Sequence, residues 1–327
     1  MIRGTAAAGL LLAAAGLVPA PAAPQRADLT APGISLELAR HRSAALSDLR
    51  YDLDFHVPES PDSAVYGRLR LRLDHAARGD VVLDFAPEGV VREVRLDGVA
   101  TAFSHERGHL VVPDLPRGPV DLAIAFEAGD GPLNRRDDFL YTLFVPDRAH
   151  EAFPAFDQPD LKARFTLQLT VPRSWRAVAN GAESSRHEEE PGLVVYRFQE
   201  TEPIPTYLFA FATGRFEVEE AVRSGRTLRL LHRETDAEKV ARNRAAIFDL
   251  HATALAWLEE YTGIPYPFGK FDFVAIPSFQ YGGMEHPGAI LYRADGLFLD
   301  ESATRNEELG RASVIAHETA HMWFGDL

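Results

Sequence analysis

Apolar and polar residues alternate with a period of two in several segments between residues 45 and 217, and this pattern constrains the fold most. In the clearest segment, residues 49–57, leucine, tyrosine, phenylalanine and valine alternate with charged residues and histidine. Successive side chains of a strand point to opposite faces of a sheet, so the alternation indicates half-buried strands. The same alternation recurs at 69–73, 120–126 and 165–171, and shorter apolar runs that also suit strands lie at 81–85, 90–96, 110–112, 193–198 and 207–212. Turn signals such as Asn180-Gly181 separate the segments, and we predict a mostly antiparallel β domain over residues 45–217.

The second part of the chain has a different pattern. Apolar residues recur at helical spacing over residues 240–261, Thr235-x-x-Glu238 fits a capping box before them, and Gly263 suits the end of the helix. The later elements that we predict are strands at 227–231, 271–276 and 289–292 and a closing helix. The predicted fold class is therefore α+β, with a second domain over residues 218–327.

The closing helix carries the motif H-E-x-x-H, formed by His317, Glu318 and His321. Residues four apart lie on one face of a helix, so both imidazoles can bind a single zinc ion with Glu318 beside it as a general base. Thr304-x-x-Glu307 fits a capping box at the start of this helix, and Gly325 suits the position just past its end. The apolar residues at helical spacing, which we expect to face the core, are Leu309, Ala312, Ala316, Ala320 and Trp323. A buried or solvated helix that carries two histidines by chance is the structural alternative.

The composition excludes several kinds of chemistry. The 327 residues contain no cysteine, so disulfides, thiolate nucleophiles and cysteine-bound zinc are impossible. A formal net charge of -14 makes nucleic acids and anionic membranes unfavourable partners. The hydrophobic fraction of 46% is that of an ordinary globular protein, and the length allows two domains with sizeable cores.

The first 24 residues have the pattern of a signal peptide. Arg3 precedes an apolar run over residues 6–18, and Ala20 and Ala22 form a small-residue cleavage site. The run is too short to span a membrane comfortably. We therefore predict export, which makes the protein secreted or periplasmic, and then a linker with a short helix over residues 25–44. An uncleaved membrane anchor is the alternative.

A glycine-rich loop, YGGMEHPG at residues 281–288, precedes the closing helix. Paired glycines let a backbone approach a ligand closely, although a glycine turn with an exposed acid is the structural alternative. This loop, HETAHMWFGDL at 317–327, and FPAFDQP at 153–159 with Lys162 together resemble the aminopeptidase N-like zinc metallopeptidases. Leukotriene hydrolase belongs to the same gluzincin family. The three motifs occur in the family's order, and the resemblance covers roughly residues 45–327.

The resemblance implies a fold, a cofactor and a role for individual residues. It implies a saddle-like antiparallel β domain followed by the first part of a thermolysin-like α+β catalytic domain. His317 and His321 match zinc ligands of a site with one Zn²⁺ per chain, and Glu318 matches the general base that activates the zinc-bound water. Glu285 matches the carboxylate that pairs with the free α-ammonium of a peptide substrate. The other residues that match the substrate-binding segment are Gly282, Gly283, Met284 and His286.

Three departures from the family pattern bear on activity. The family's third zinc ligand, a glutamate, and its transition-state tyrosine would lie past Leu327, so we expect a front part of a longer protein with little peptidase activity alone. His286 stands where asparagine is commonest, and a neutral hydrogen-bonding replacement is favoured over a changed substrate preference. Val145 stands where the family usually has a second amine-binding acid or amide, and Asp147 or Glu151 could substitute.

Two further interpretations remain open. Leukotriene hydrolase also has two glycines before Met-Glu, so epoxide hydrolysis is a second enzymatic interpretation of Gly282 and Gly283. The third interpretation is a truncated, non-catalytic fragment that binds peptide N-termini. Other histidines have no ligand spacing and are expected to be structural or exposed, among them His105, His109, His150, His232 and His251.

Overall fold

A computed structural model of the protein describes residues 28–327, so the predicted signal peptide at 1–24 lies outside the described residues. The helices are α1 Leu36–Ala45, α2 Ala237–Thr262, α3 Ala294–Leu297 and α4 Arg305–His321, and 3-10 turns are formed by Ala149–Glu151 and Thr206–Leu208. Helix α1 confirms the short helix expected before the β domain. Within the described residues, no helix is both long and apolar enough to cross a membrane.

Capping side chains fix where the two long helices begin. Helix α4 starts with the predicted capping box, in which Thr304 and Glu307 each bind the other's backbone amide. At α2 the cap is Asp236, whose carboxylate accepts hydrogen bonds from two backbone amides. The predicted cap at Thr235 is therefore wrong by one residue, because aspartate is the stronger N-cap of the two neighbours. Gly263 ends α2 in the left-handed conformation at φ 69°, as predicted.

Three sheets form the first region of the chain. Its strands are β1 Leu46–His56, β2 Tyr66–His75, β3 Gly79–Asp84, β4 Val90–Leu96, β5 Val99–Ala100, β6 Ser104–Glu106, β7 His109–Leu115, β8 Gly118–Glu127, β9 Leu133–Arg136, β10 Phe139–Thr142, β11 Arg164–Pro172, β12 Arg176–Ala179, β13 Glu183–Glu188, β14 Leu193–Phe198 and β15 Phe211–Gly214. The strand orders are β13-β14-β11-β1-β2-β8-β4-β5, β12-β15-β10-β9 and β3-β7-β6. Neighbours are antiparallel except β1 and β11, which run parallel with Asp54 opposite Gln168. The prediction of a mostly antiparallel β region is confirmed.

The second region builds one mixed sheet. Its strands are β16 Glu217–Arg223, β17 Arg226–His232, β18 Phe271–Ile276, β19 Gly283–Met284 and β20 Ile290–Arg293, in the order β16-β17-β18-β20-β19. Strands β17, β18 and β20 are parallel, and α2 supplies the crossover that parallel strands need between β17 and β18. This arrangement confirms the α+β class.

Strand β18 lies between two hydrophobic cores, and all six of its residues are buried. Phe271 and Phe273 face the core that contains the inner residues of α2 and α4, such as Phe248 and Ile315. Val274 and Ile276 belong to the core of the first region, together with Met284 and Leu291. The substrate-loop candidate is therefore packed against the β region, and α4 against the other face of the sheet.

Three further local predictions are wrong. The apolar run 207–212 predicts one strand, but Thr206–Leu208 form a 3-10 turn and the strand is Phe211–Gly214. In α4 the predicted apolar face is displaced, because Leu309 is 51% exposed and Ala316 is also exposed. The residues that α4 buries are Arg311, Ile315, Glu318 and Thr319. Gly325 is not the helix cap, since α4 ends at His321 and a further turn follows.

Candidate active site

The two motif histidines lie together at the C-terminal end of α4. His317 Nε2 and His321 Nε2 are 3.2 Å apart, and their rings meet edge to face. Two nitrogens bound to one tetrahedral zinc at about 2.0–2.1 Å would be separated by about 3.3 Å, so the pair fits such an ion. His317, Glu318 and His321 also form a group whose ligand atoms lie within 4.8 Å of one another. The two histidines therefore have the spacing and chemistry of two ligands in a tetrahedral zinc site.

Glu318 is buried beneath these histidines. Burial, and then the nearby charge of Glu285, raises the pKa of the Glu318 carboxyl to about 8. A methyl group added at Gly283 would lie 2.4 Å from Glu318 Oε1, so the loop backbone touches this carboxylate directly. A methyl group at Gly282 would meet only Val314 Cγ2 at 3.4 Å, which is ordinary contact. Of the paired glycines, Gly283 is thus the one whose missing side chain makes room for Glu318.

The glycine-rich loop is placed by a short pair of strands. Gly283 pairs with Tyr292 and Met284 with Leu291, which fixes the loop along the edge of the mixed sheet. Met284 is buried, and Glu285, the next residue, turns its carboxylate toward α4. Glu285 Oε1 lies 4.0 Å from His321 Nδ1. The structure therefore brings the predicted acid of the loop next to the predicted metal ligands.

His286 lies in the core rather than on an open surface. It has no exposed surface, and neither ring nitrogen has a hydrogen-bond partner among the described residues. Burial lowers the pKa of His286 to about 3, so the ring is neutral at neutral pH. The neutral side chain agrees with the favoured interpretation, but the hydrogen bond that was expected from a replacement for asparagine is absent in residues 28–327.

Asp326 is a further acid of this site that the sequence did not reveal. It is 1% exposed, and burial and then the charge of Glu285 raise its pKa to about 8 although Lys162 opposes the shift. Lys162 Nζ donates to the backbone carbonyl of Asp326 at 3.0 Å, which ties the first region to the end of α4. The match of this aspartate to the last motif was the only signal in the sequence that could have pointed to it.

The three positions considered for a second amine-binding group have no contact with the candidate site among those described. Val145 is half-buried against the core of the first region. Glu151 forms a two-pronged ion pair with Arg148 at 2.9 and 3.0 Å, so its carboxylate is already engaged. Asp147 is exposed. Nothing in the described contacts assigns the function of the missing acceptor to either acid.

The FPAFDQP motif has a structural place in the first region. Asp157 is buried and accepts hydrogen bonds from Thr206 Oγ1 at 2.6 Å and from both the amide and Nδ1 of His150. Its own amide donates to Asp84 at 3.0 Å. The phenylalanines of the motif lie in the core. These contacts lie within the first region, whereas Lys162, three residues after the motif, reaches the Asp326 carbonyl beyond the end of α4.

Other histidines have structural environments, as expected for most of them. Nδ1 of His251 binds the Ile247 carbonyl and Nε2 binds the Tyr292 hydroxyl, at 2.8 and 3.1 Å. Nε2 of His105 lies 2.9 Å from the carbonyl oxygen of Phe85. His232 differs, because it is buried and its ring nitrogens have no partner within residues 28–327.

Comparison with known proteins agrees with this arrangement. Residues 130–208 match the Peptidase M1 N-terminal domain, and residues 247–327 match the Peptidase family M1 domain. The second match contains the glycine-rich loop and α4, and the first contains the FPAFDQP motif.

Similar full-length proteins carry aminopeptidase names. The chain is 31% identical to a leucyl aminopeptidase of Saccharolobus solfataricus, over 85% of this chain and 35% of that protein. It is 32% identical to aminopeptidase N of Streptomyces lividans, over 90% of this chain and 36% of that protein. It is 36% identical to aminopeptidase M1-A of Oryza sativa subsp. japonica, over 85% and 34%. The chain thus spans about a third of the length of these curated relatives. Two domain matches in the family's order and these relatives show that the chain belongs to the aminopeptidase N-like gluzincins of peptidase family M1.

Proposed function

We propose that the protein is a zinc-dependent aminopeptidase that removes N-terminal residues from peptides. The observation that carries the proposal is the position of Glu285, whose carboxylate lies 4.0 Å from His321 Nδ1. An acid at this distance from a metal ligand can hold a cationic group while the neighbouring bond lies at the metal. The names of the similar proteins support the same substrate class.

A free peptide N-terminus suits the charges of the site. Glu285, Glu318 and Asp326 are close enough for the charge of Glu285 to raise the pKa of the other two. A bound cation stabilises a cluster of acids, because without it the charged carboxylates repel one another. An α-ammonium bound by Glu285 would form a charge-assisted hydrogen bond and leave only the first peptide bond near the histidines. This limit on reach is what makes an exopeptidase.

We assign the remaining roles to the motif of α4. His317 and His321 would hold the zinc ion, which when bound polarises a carbonyl and acidifies a water molecule. Glu318 would accept the proton of the attacking water and pass it to the leaving amine. The Glu318 side chain is buried and lies directly against the loop backbone at Gly283, so its position is fixed for both transfers. Gly282, Gly283, Met284 and His286 belong to the segment that would align the substrate backbone.

The organisation of the chain is part of the proposal. We assign residues 45–217 to an N-terminal β domain and 218–327 to a zinc metallopeptidase domain. The signal-peptide pattern of residues 1–24 supports secretion or a periplasmic location.

The test uses the protein expressed from its complete reading frame. Leucine p-nitroanilide should be hydrolysed, its N-acetyl derivative should not, and activity should be lost on chelation and restored by zinc. Glu285→Gln should lower kcat/KM for the free amine by about 10- to 100-fold, because a hydrogen bond to a charged group contributes about 1.5–3 kcal/mol. Glu301→Gln, at an exposed glutamate, is the matched control and should leave kcat/KM within about twofold.

Other results would contradict the proposal. Equal hydrolysis of the free and N-acetylated substrates would show that no amine anchor operates. Hydrolysis of a lipid epoxide without any peptidase activity would favour the epoxide hydrolase, and binding of peptides without turnover would favour a non-catalytic protein.

A further inference from the structure

Asn180 of the first region makes a set of hydrogen bonds that reaches the candidate substrate loop. Its Nδ2 donates to the Leu208 carbonyl at 2.9 Å and to the Pro287 carbonyl at 3.0 Å. Its Oδ1 accepts from the Ala210 amide at 2.6 Å. Both amide protons and the oxygen are thus used, and the residue is only 8% exposed. A side chain so placed has one orientation, which only an amide can satisfy.

The backbones of the two segments also touch. Gly288 has φ +72°, and a methyl group added there would lie 2.3 Å from the Asn180 carbonyl oxygen. Only glycine accepts both the left-handed conformation and this close approach. Lys270 Nζ donates to the Gly288 carbonyl and pairs with Asp272. The end of the loop is therefore enclosed by polar groups whose positions are fixed.

The loop is held at its other end by the sheet. Gly283 and Met284 pair with β20, and the His286 amide donates to the Met284 carbonyl at 3.0 Å. Glu285 stands between this pairing and Pro287, so both of its neighbouring backbone segments are fixed. Loss of either attachment would let the carboxylate move relative to α4.

We propose that Asn180 is a positioning residue that sets the place of Glu285 through Pro287. The inference rests on the proposed function, in which Glu285 binds the substrate amine. The β domain would then take part in substrate recognition by fixing the loop, with Asn180 acting through the Pro287 carbonyl.

The experiment compares Asn180→Ala with Thr142→Ala in the protein from its complete reading frame. Thr142 is the matched control, because it is fully buried in the same region and its hydroxyl binds the Phe211 amide and carbonyl, not the loop. Asn180→Ala should raise KM for leucine p-nitroanilide about tenfold with kcat changed much less. A displaced Glu285 weakens a contact with the amine that the substrate and the transition state share, and loss of such uniform binding raises KM. Thr142→Ala should leave KM unchanged.

Two further measurements separate positioning from general destabilisation. Inhibition by leucine hydroxamate is compared with inhibition by 4-methylpentanoyl hydroxamate, which lacks the amine. The inhibition constant of the compound without the amine, divided by that of leucine hydroxamate, should fall about tenfold in Asn180→Ala and stay constant in Thr142→Ala. Amide hydrogen exchange should accelerate over residues 283–288 in Asn180→Ala only.

The outcomes are distinguishable. A wild-type protein without preference for the amine-bearing inhibitor refutes the proposed function and with it the role of Asn180 in substrate binding. A wild-type protein that has the preference, retained in full by Asn180→Ala, refutes the positioning role alone. If Asn180→Ala does not fold, Gly288→Ala strains the same contact from the loop side, and Gly296→Ala, where an added methyl meets nothing within 4 Å, is its control. An unchanged inhibitor ratio in Gly288→Ala then overturns the inference.

Discussion

Replacing Asp84 with asparagine should destabilise the first region strongly, because the change leaves a buried arginine without its counter-ion. Arg42 of α1 is 1% exposed and donates to both oxygens of Asp84, at 2.6 and 2.8 Å. Asp84 is 3% exposed and also accepts from the Asp157 amide. Burial alone would raise the pKa of Asp84, but hydrogen bonds from His109 and Arg42 hold it below its usual value.

The expected size of the effect follows from this burial. Removing one partner of a buried ion pair costs about 3–5 kcal/mol, because the remaining charge has lost its solvent and its partner. The exposed pair of Arg70 and Asp121, with side chains 60% and 30% exposed, is the matched comparison. Asp121→Asn should cost no more than about 1 kcal/mol, since solvent screens this pair.

Urea titration followed by circular dichroism would measure both variants, and a double-mutant cycle would isolate the pair. Arg42→Met removes the buried cation, so Asp84→Asn should cost at least about 2 kcal/mol less in that background than in the wild type. Additive effects within about 0.5 kcal/mol, or equal losses for Asp84→Asn and Asp121→Asn, would refute the reasoning.

Three further outcomes are expected. The folded pKa of His286, about 3, lies below its unfolded value of 6.5, so the unfolded state binds the extra proton and stability falls as pH drops from 6.5 toward 3. In urea titrations, His286→Asn should therefore reduce the loss of unfolding free energy between pH 7 and 4.5 by about 2–3 kcal/mol. An unchanged dependence of stability on pH would contradict the shift. In the protein from its complete reading frame, His317→Ala or His321→Ala should abolish one-to-one zinc binding in calorimetry, while His150→Ala should retain it, and retention in all three would exclude the metal site. His251→Phe should lower the unfolding free energy by about 1–3 kcal/mol, because the buried Tyr292 hydroxyl loses its partner, and a smaller loss would mean that the hydroxyl finds another acceptor.

Periodicity predicted most elements of the fold because one face of each strand or helix is buried. It failed where polar side chains enter the core. In α4, Arg311 is buried through hydrogen bonds to Asn243 and to the Leu297 carbonyl, so the buried face does not follow the apolar residues. The strand prediction for the start of the 207–212 run is wrong for a different reason, since the tertiary contact of Thr206 with Asp157 favours a 3-10 turn there.

In the candidate site, too, some residues could be predicted from the sequence and others depend on tertiary contacts. His317, Glu318 and His321 could be predicted because their spacing on one helix fixes their geometry. Glu285 could be predicted as a residue from the motif, but its distance from His321 depends on the sheet that joins the loop to α4. Asn180 could not be predicted, because Asn180-Gly181 has the sequence of an ordinary turn and its partners lie 28 and 107 positions away.

The parallel pairing of β1 with β11 has a consequence for folding during synthesis. Asp54 pairs with Gln168 near the middle of the eight-stranded sheet, although the two residues are 114 positions apart. Until β11 leaves the ribosome, one edge of β1 has unpaired amide and carbonyl groups and apolar residues such as Phe55 lack part of their cover. Contacts between positions so distant in sequence also slow folding. While only the first half of this region has been synthesised, we therefore expect chaperone binding and aggregation to compete with folding.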